Sequence, residues 1–375
     1  MHQGCGAHCV SYAAFAMDQD HIVDLSPTDD AALLALFWPF RTGVLSLPST
    51  PVLFLGARPG GWVFEQPQAQ WRCEQGFLPF ARALQRHGIA AEPEIVDTGL
   101  AMTLALPPRQ REEARALLAR AVQATVTGGR VVVAASNNEG ARSLEADLAA
   151  LAGPVQSVSK HKSRVAWATI EPHSLDPARL ADWLALDAPR QVTAGDEVFW
   201  SRPGLFAWDR IDPASALLAE HLPASLQGRV ADLGAGWGYL SMQLLRRCAG
   251  VTAIDLYEAN ARALEPARRN LATTLAGRAT PACAVHWHDV TTGLPARCDV
   301  AVSNPPFHVG RADLPQLGRA FLASAADALL DHGQFWLVAN RHLPYEDLLR
   351  ERFAHVAIVL QRDGYKILHA REPTR

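Results

Sequence analysis

Positions 303–308 read Ser-Asn-Pro-Pro-Phe-His and offer the clearest chemistry in the chain. They follow the apolar run 299–302, which predicts a buried strand. The side-chain oxygen of Asn304 and the carbonyl of Pro305 can both accept hydrogen bonds from an exocyclic NH₂ group, while Phe307 can stack on the attached ring. Such a pocket favours the pyramidal nitrogen of a transition state. The stretch therefore predicts group transfer to the nitrogen of a flat base or amide.

A glycine turn lies upstream, between a predicted strand at 230–233 and a predicted helix at 237–247. Its glycines let the backbone approach a ligand closely, and the helix start offers free N–H groups. The spacing is Gly-x-Gly-x-Gly after an acid, whereas dinucleotide sites prefer Gly-x-Gly-x-x-Gly. The turn predicts a nucleotide-like cofactor, and its candidate cofactor-binding residues are Asp232, Gly234, Gly236 and Gly238.

Two further carboxylates follow predicted strands. Asp255 ends a predicted strand at 251–255, and we expect it to accept hydrogen bonds from both hydroxyls of a ribose. Asp289 follows a predicted strand at 284–287, where it would accept from an adenine amine. An ordinary turn role for Asp289, before the Gly-Leu-Pro run from Gly293, is the alternative.

The elements that must position these groups alternate between strand and helix throughout, which predicts an α/β fold with largely parallel sheets. A boundary near residue 190 gives two domains, 1–190 and 191–375. In the first, we predict a strand at 62–64 and a helix at 29–40 that Pro39 stops. In the second, a helix begins at Glu258, and a hairpin with Asp363-Gly364 at its turn ends the chain.

The two halves resemble each other, which predicts an internal duplication. The stretch FLGARPG from Phe54 aligns with DLGAGWG from Asp232, and the Leu-Pro-Pro from Leu106 aligns with Asn-Pro-Pro. In the first copy Phe54 replaces the acid, Arg58 replaces a glycine and Leu106 replaces the Asn. We therefore expect the first copy to be inactive and to support folding.

Composition sets the remaining expectations. The chain has 375 residues, 49% hydrophobic content and a net charge of −3, so contact with nucleic acid would depend on local patches. The densest basic cluster is 159–164, Ser-Lys-His-Lys-Ser-Arg, which predicts either a solvated turn or a phosphate contact. No apolar run approaches the ~18 residues of a membrane span, and no Lys or Arg precedes Arg41, so we expect a cytoplasmic protein.

The six cysteines form neither a disulfide framework nor a paired zinc motif, and we expect no metal. A cluster near the start could bind one, but a frayed terminus is the alternative; its members are His2, Cys5, His8 and Cys9.

The glycine turn is similar to the cofactor turn of class I S-adenosylmethionine-dependent methyltransferases. The chain also resembles the ribosomal RNA guanine-N2 methyltransferases that modify 16S rRNA of the small subunit. The stretches that carry this resemblance are the Asn-Pro-Pro-Phe-His run, GLFAWDRID from Gly204, VANRHLPY from Val338 and GYKI from Gly364. The resemblance covers 204–370 well, and 1–190 only through the duplicated plan.

The resemblance implies two tandem Rossmann-like methyltransferase domains, the N-terminal one degenerate, with S-adenosyl-L-methionine bound at the turn and at Asp255, and the base at 304–307. It implies ribosomal RNA or the small subunit as partner, and we expect a monomer. Exposed groups near the site could hold the RNA, and the candidates are Trp208, Arg210, Arg311 and Arg341.

Other readings stay open at this point. The target could lie in large-subunit rRNA. Adenine-N6 and protein-glutamine methyltransferases also use Asn-Pro-Pro-(Tyr/Phe), although the chain has no inserted DNA-recognition domain and carries Phe rather than Tyr at 307. A non-enzymatic alternative is an rRNA assembly chaperone with a vestigial cofactor site. The intact Asp232, Gly236, Asp255 and Asn304 argue against it.

Overall fold

Two seven-stranded sheets follow one another along the chain, each covered by helices. The computed structural model describes residues 30–66, 69–277, 281–306, 308–309, 312–313 and 315–374. Phe307 and Arg311 lie outside the described residues, as does the whole cluster of His2, Cys5, His8 and Cys9.

The first half contains the first seven strands and the first six helices. Its strands are β1 (Val52–Leu55), β2 (Trp71–Glu74), β3 (Ala91–Glu92), β4 (Leu100–Ala105), β5 (Thr125–Ser136), β6 (Gln156–Lys160) and β7 (Ser163–Thr169). Its helices are α1 (Ala31–Arg41), α2 (Gly61–Phe64), α3 (Leu78–Arg86), α4 (Arg111–Ala124), α5 (Ala141–Ala152) and α6 (Pro177–Ala185).

A small hairpin leads into the second half. Its strands are β8 (Arg190–Ala194) and β9 (Glu197–Ser201). The later strands are β10 (Gln227–Leu233), β11 (Gly250–Glu258), β12 (Ala282–Trp287), β13 (Cys298–Ser303), β14 (His308–Val309), β15 (Ala312–Asp313), β16 (Leu329–Asn340), β17 (Phe353–Arg362) and β18 (Tyr365–Pro373). The helices are α7 (Pro213–His221), α8 (Tyr239–Arg247), α9 (Ala261–Thr274), α10 (Pro315–Ala328) and α11 (Tyr345–Arg350).

The two large sheets share one topology. Their strand orders are β3-β2-β1-β4-β5-β7-β6 and β12-β11-β10-β13-β16-β18-β17. In each sheet five strands are parallel, and the last two pair antiparallel. The predicted tandem architecture is therefore confirmed. Each sheet reverses its strand order beside its first strand, at β1 and at β10, and ligands of open α/β sheets bind at that point.

Apolar side chains on both faces of each sheet form the cores. In the first half Phe54, Leu104 and Val132 lie on one face of the sheet, while Leu53, Ala105 and Val133 lie on the other face, in the same core as α4. Strands buried on both faces read as continuous apolar runs, which is why the central strands could be located from the sequence.

Four predicted elements differ from the structure. The helix predicted to begin at Glu258 begins at Ala261, because Glu258 is the last residue of β11 and Asn260 caps the helix. Residues 62–64 belong to the single turn α2, because Gly60 and Gly61 start a helical turn instead of a strand. Pro39 lies inside α1 near its end and does not stop it before Arg41. The strand predicted to end at Asp255 continues through the apolar pair Leu256-Tyr257 to Glu258. No helix among the described residues is long and apolar enough to span a membrane.

Candidate active site

A cavity of about 740 Å³ opens at the carboxyl ends of the parallel strands, and residues of both halves line it. From the second half it receives the glycine turn after β10, the loop after β11, the loop after β12 and the Asn-Pro-Pro run after β13. From the first half it receives residues that follow β1, β2 and β4. Three of these four loops were predicted from the sequence, whereas the loop after β11 was placed too early and the contribution of the first half was not predicted.

The glycine turn places its backbone against the cavity. The N–H groups of Gly234 and Ala235 donate to the carbonyl of Tyr257 at 2.9 and 3.2 Å, which fixes the turn to β11. Gly236 has φ of +56°, and a Cβ there would meet no atom within 4 Å. A side chain at Gly236 would therefore project into open space and strain the backbone, so this position keeps the turn open to a ligand.

Asp232 lies at the end of β10 with its side chain buried. Its Oδ2 accepts from the N–H and the hydroxyl of Ser241 at 3.2 and 2.6 Å. Its Oδ1 has no partner among the described residues. Burial raises the pKa of this carboxyl to about 7, and the hydrogen bonds from Ser241 act in the opposite direction. The free oxygen is an acceptor without a donor on the wall of the cavity.

Glu258, not Asp255, presents a carboxylate at the end of β11. Oε2 of Glu258 accepts from the N–H of Gly236 at 2.8 Å, and Oε1 accepts from the N–H of Asn260 at 2.7 Å. Glu258 lines the cavity, and burial raises its pKa while the backbone N–H groups lower it. The carboxylate thereby joins the glycine turn to the start of α9.

Asp255 lies three residues earlier, within the strand, and does not line the cavity. Its carboxylate pairs with Arg229 of β10 at 2.5 Å and with His286 of β12 at 3.0 Å. Asp255 was expected to contact a ribose, but Glu258, three residues later, is the residue of this strand that lies beside the cavity. Asn260, whose side chain accepts from Arg262 N–H at 3.1 Å, caps α9 and is the sequence signal that would have placed the strand end at Glu258.

Asp289 does line the cavity. Its Oδ1 accepts from the N–H and the hydroxyl of Thr291 at 3.0 and 2.7 Å, which forms a short helical turn after β12. Asp289 therefore has the turn role and also lies beside the cavity. Nε2 of the neighbouring His288 donates to the carbonyl of Gly293 at 2.6 Å, and burial lowers the pKa of this imidazole.

Asn304 follows β13, and its amide nitrogen is held on both sides. Nδ2 donates to Oδ2 of Asp212 and to Oγ of Ser215, each at 2.9 Å. An amide NH₂ group has two hydrogens, so both are used. This assigns the orientation of the amide and directs its oxygen away from Asp212 and Ser215. Neither of these two residues was recognised from the sequence, because they lie 92 and 89 positions away.

The prolines complete this side of the cavity. Pro305 is buried and Pro306 is exposed, and both line the cavity beside Asn304. Phe206 also lines it with 69% of its surface exposed, an aromatic that sequence analysis missed. Ser303 fixes the strand end, because its hydroxyl donates to the carbonyl of Leu233 at 2.7 Å.

The expected RNA-contacting groups lie in different settings. The guanidinium of Arg190 covers the ring of Trp208, 4.7 Å from its centroid. Arg210 pairs with Asp209 at 2.9 Å, and Arg341 is exposed. Trp208, Arg210 and Arg341 are absent from the lining of the cavity.

Comparisons with known proteins agree with this geometry. The family model described as "Methyltransferase small domain" matches residues 196–369. A ribosomal RNA small subunit methyltransferase C from Sodalis glossinidius is 30% identical over 275 residues, which cover 70% of this chain and 71% of the relative. A protein of the same name from Shewanella loihica is 28% identical over 260 residues, covering 69% of this chain and 74% of the relative.

One solved structure shares the whole architecture. It is described as the T. Thermophilus 16S rRNA N2 G1207 methyltransferase in complex with AdoMet and guanosine. The two chains are 25% identical, with a TM-score of 0.76 and coverage of 93% of each chain. The chain therefore belongs to the ribosomal RNA small subunit methyltransferase C family.

Proposed function

We propose that this protein transfers a methyl group from S-adenosyl-L-methionine to the exocyclic N2 of a guanine in 16S ribosomal RNA of the small subunit. The observation that carries the proposal is the doubly held amide of Asn304, which shares one cavity with Asp232, Gly236 and Glu258. A solved relative of the same architecture is described with AdoMet and guanosine together, which supports the same pair of ligands here.

The residues present fit S-adenosylmethionine. The unpartnered Oδ1 of buried Asp232 would accept from the α-ammonium of the methionine part. Glu258, at the end of β11, would accept from the ribose hydroxyls, and Asp289 from the adenine amine. When bound, S-adenosylmethionine supplies an electrophilic methyl on a sulfonium. The turn around Gly236 leaves room for close approach of that ligand.

The chain's own part in catalysis is to hold the guanine amine. The amine is a weak nucleophile, because its lone pair is delocalised into the ring. The Oδ1 of Asn304 and the carbonyl of Pro305 would accept both of its hydrogens, which favours the pyramidal nitrogen of the transition state over the flat ground state. Phe307 would stack on the base, as predicted from the sequence.

No strong general base is required. After transfer the nitrogen is a methylated ammonium, which loses its proton readily to water. Asn304, Pro305 and Phe307 would therefore act by positioning, which can contribute several kcal/mol to lowering a barrier. A base in folded RNA must also leave its stack before it enters such a pocket. Phe206, which is exposed at the cavity, could stack on the bases that neighbour the guanine in the RNA.

The domain division at residue 190 belongs to this proposal. Residues 1–190 would support folding and contact RNA, and residues 191–375 would carry the reacting groups. An rRNA substrate would place the protein in the cytoplasm, and we expect it to act as a monomer.

The basic cluster identified in the sequence has a suitable position. Lys160, His161 and Lys162 are exposed at the turn between β6 and β7, and among the described residues none of them forms an ion pair. The N–H of Asn137, which follows β5, donates to the carbonyl of Lys162 at 3.0 Å. The turn therefore lies at the carboxyl edge of the first sheet, the edge that faces the cavity, and could contact RNA phosphates.

The direct test supplies labelled S-adenosylmethionine with free 16S rRNA, small subunits, large subunits or DNA, followed by mass spectrometry of the nucleosides. We expect N2-methylguanosine from 16S rRNA or small subunits. Methyladenine, or label in the large subunit alone, would refute the proposal.

Asn304→Ala tests the mechanism. We expect it to lower kcat about 100- to 1000-fold while leaving RNA affinity unchanged, because the lost hydrogen bond stabilises mainly the transition state. Retained activity would contradict the role of Asn304.

A further inference from the structure

We infer that the degenerate first half forms the wall of the cofactor site around the adenine, through residues Phe77, Pro79 and Phe80. The inference rests on the proposed function, in which S-adenosylmethionine binds between Glu258 and Asp289. It assigns to the first half a part in ligand binding that is separate from folding support and RNA contact.

The first half is joined by backbone hydrogen bonds to the loop beside Glu258. The N–H of Leu78 donates to the carbonyl of Ala259 at 2.9 Å, and the N–H of Ala261 donates to the carbonyl of Gly76 at 2.8 Å. Between these bonds Phe77 and Asn260 form an antiparallel bridge. The segment that follows the proposed ribose carboxylate therefore takes its conformation partly from the first half.

The same helix reaches the loop beside Asp289. Nη1 of Arg82, on α3, donates to Oγ1 of Thr292 at 3.2 Å. Trp287, the last residue of β12, donates from its indole N–H to the carbonyls of Gly76 and Ala259 at 3.0 and 2.8 Å. The Trp287 ring also packs against the core of the first half.

Residues 78 and 82 are one helical turn apart, so the first turn of α3 spans the gap between the two loops. The residues between and beside these contacts, Phe77, Pro79 and Phe80, line the cavity together with Ala259, Asn260 and Val290. The rings of Phe77 and Phe80 meet edge to face with centroids 5.3 Å apart.

An apolar aromatic wall suits a purine. Adenine is uncharged and flat, and stacking of a base on an aromatic side chain contributes ~1–3 kcal/mol in nucleic-acid complexes. The second half offers the carboxylates of Asp232, Glu258 and Asp289 for the polar edges of the cofactor. The first half supplies the apolar face, so the site is complete only when both halves are in contact.

The test is the affinity of Phe80→Ala for S-adenosylmethionine, measured by titration calorimetry on the full chain. We expect the Kd to rise about tenfold. Phe64→Ala is the matched control, because Phe64 is a partly buried aromatic of the same half that stacks on His87 and does not line the cavity. Its Kd should equal that of the unmodified protein.

A second ligand locates the effect. 5′-Methylthioadenosine has the adenine and ribose but no amino acid, so Phe80→Ala should weaken its binding by the same factor. If Phe80→Ala does not fold, Phe80→Leu and Arg82→Ala replace it, with an expected increase in Kd of about threefold each. Unchanged Kd in a folded variant, or weakening for S-adenosylmethionine alone, would overturn the inference. Absence of cofactor binding to the unmodified protein would instead overturn the proposed function.

Discussion

Gln75 occupies in the first half the place that Glu258 holds in the second. Each follows the same position of its sheet, since Glu74 pairs with Leu55 as Tyr257 pairs with Leu233. Oε1 of each side chain accepts from the N–H two residues later at 2.7 Å. The second contact is reversed: Oε2 of Glu258 accepts from Gly236 N–H, whereas Nε2 of Gln75 donates to the carbonyl of Ala57 at 2.5 Å.

This reversal predicts a single cofactor site. The first copy has lost the carboxylate, Arg58 fills the glycine position and pairs with Asp30 at 2.8 Å, and buried Leu106 stands where Asn304 would be. Titration calorimetry with S-adenosylmethionine should give one site per chain, and Gln75→Glu should not create another, because Arg58 still occupies the turn. A stoichiometry of two would contradict the degeneracy of the first copy.

Glu258 should matter more for the cofactor than Asp255. Glu258→Gln removes one acceptor from the carboxylate that contacts the glycine turn, so we expect the Kd for S-adenosylmethionine to rise about 10- to 100-fold. Asp255→Asn disturbs a pair with Arg229 outside the cavity and should change the Kd less than about threefold. Calorimetry on both variants compares the two increases in Kd. A larger increase for Asp255→Asn than for Glu258→Gln would support Asp255 as the ribose contact.

Asp212 and Ser215 should position Asn304. With Asp212→Ala the amide of Asn304 loses one of its two acceptors and can turn its NH₂ towards the substrate, so kcat should fall at least tenfold with little change in the Kd for S-adenosylmethionine. Ser215→Ala should act in the same direction through the second acceptor.

Asp176→Ala is the matched control for Asp212→Ala. Both aspartates cap nine-residue helices that begin with proline, and each accepts from the N–H three residues later. Loss of either cap should lower the free energy of unfolding by about 1 kcal/mol. Equal kcat in the two variants would show that Asp212 acts through helix stability alone.

Cofactor affinity should rise with pH around 7. Burial holds the pKa of Asp232 at about 7 in the ligand-free chain, so part of this carboxyl is protonated there. A cationic ammonium requires the carboxylate, so binding releases a proton, and affinity falls by up to tenfold per pH unit below the pKa. Burial also raises the pKa of Glu258, which adds to the trend in the same direction.

Calorimetry at pH 6 and pH 8, in buffers of different ionisation enthalpy, counts the released protons. Asp232→Asn should bind more weakly at both pH values and release fewer protons than the unmodified protein. Equal proton release by Asp232→Asn and the unmodified protein would show that Asp232 does not contact the cofactor.

The Lys160 turn should contact RNA phosphates. We expect Lys160→Ala/Lys162→Ala to weaken binding of 16S rRNA and to reduce the slope of log K against log salt by about 1.5, because two phosphate contacts are lost. Binding of guanosine should not change. Arg130→Ala/Arg371→Ala is the control, since it removes the same charge from exposed positions at the opposite edges of the sheets. If the slope of log K against log salt is the same in the two double variants, the Lys160 turn does not contact RNA and is a solvated loop.

The repeated architecture could be predicted from the sequence because its signals are local. Buried parallel strands are short apolar runs, and the aligned stretches from Phe54 and Asp232 stand at the same place in two sheets. The end of β11 was less clear, because Asp255 resembles a strand-end acid. Its pairing with Arg229 and His286 across two neighbouring strands lets a carboxylate remain inside the sheet.

Contacts between distant segments could not be predicted. Asn304 is held by a helix cap 92 positions earlier, and the residues at and after the end of β12 contact residues of the other half 210 and 211 positions away. Each of these residues reads alone as an ordinary cap, turn or surface group. Their common role depends on how the two sheets are oriented, which neither periodicity nor spacing encodes.

The paired hydrogen bonds between 76–78 and 259–261 have the form of an isologous interface. Leu78 meets Ala259 as Ala261 meets Gly76, so equivalent positions of the two copies exchange partners around a local two-fold axis. Fusion into one polypeptide holds the copies at a high effective concentration, so a small contact is enough to keep them together. The two subunits of a homodimer must have the same sequence, but two fused copies need not. Gln75 and Glu258 could therefore differ without changing the hydrogen bonds that join the two copies.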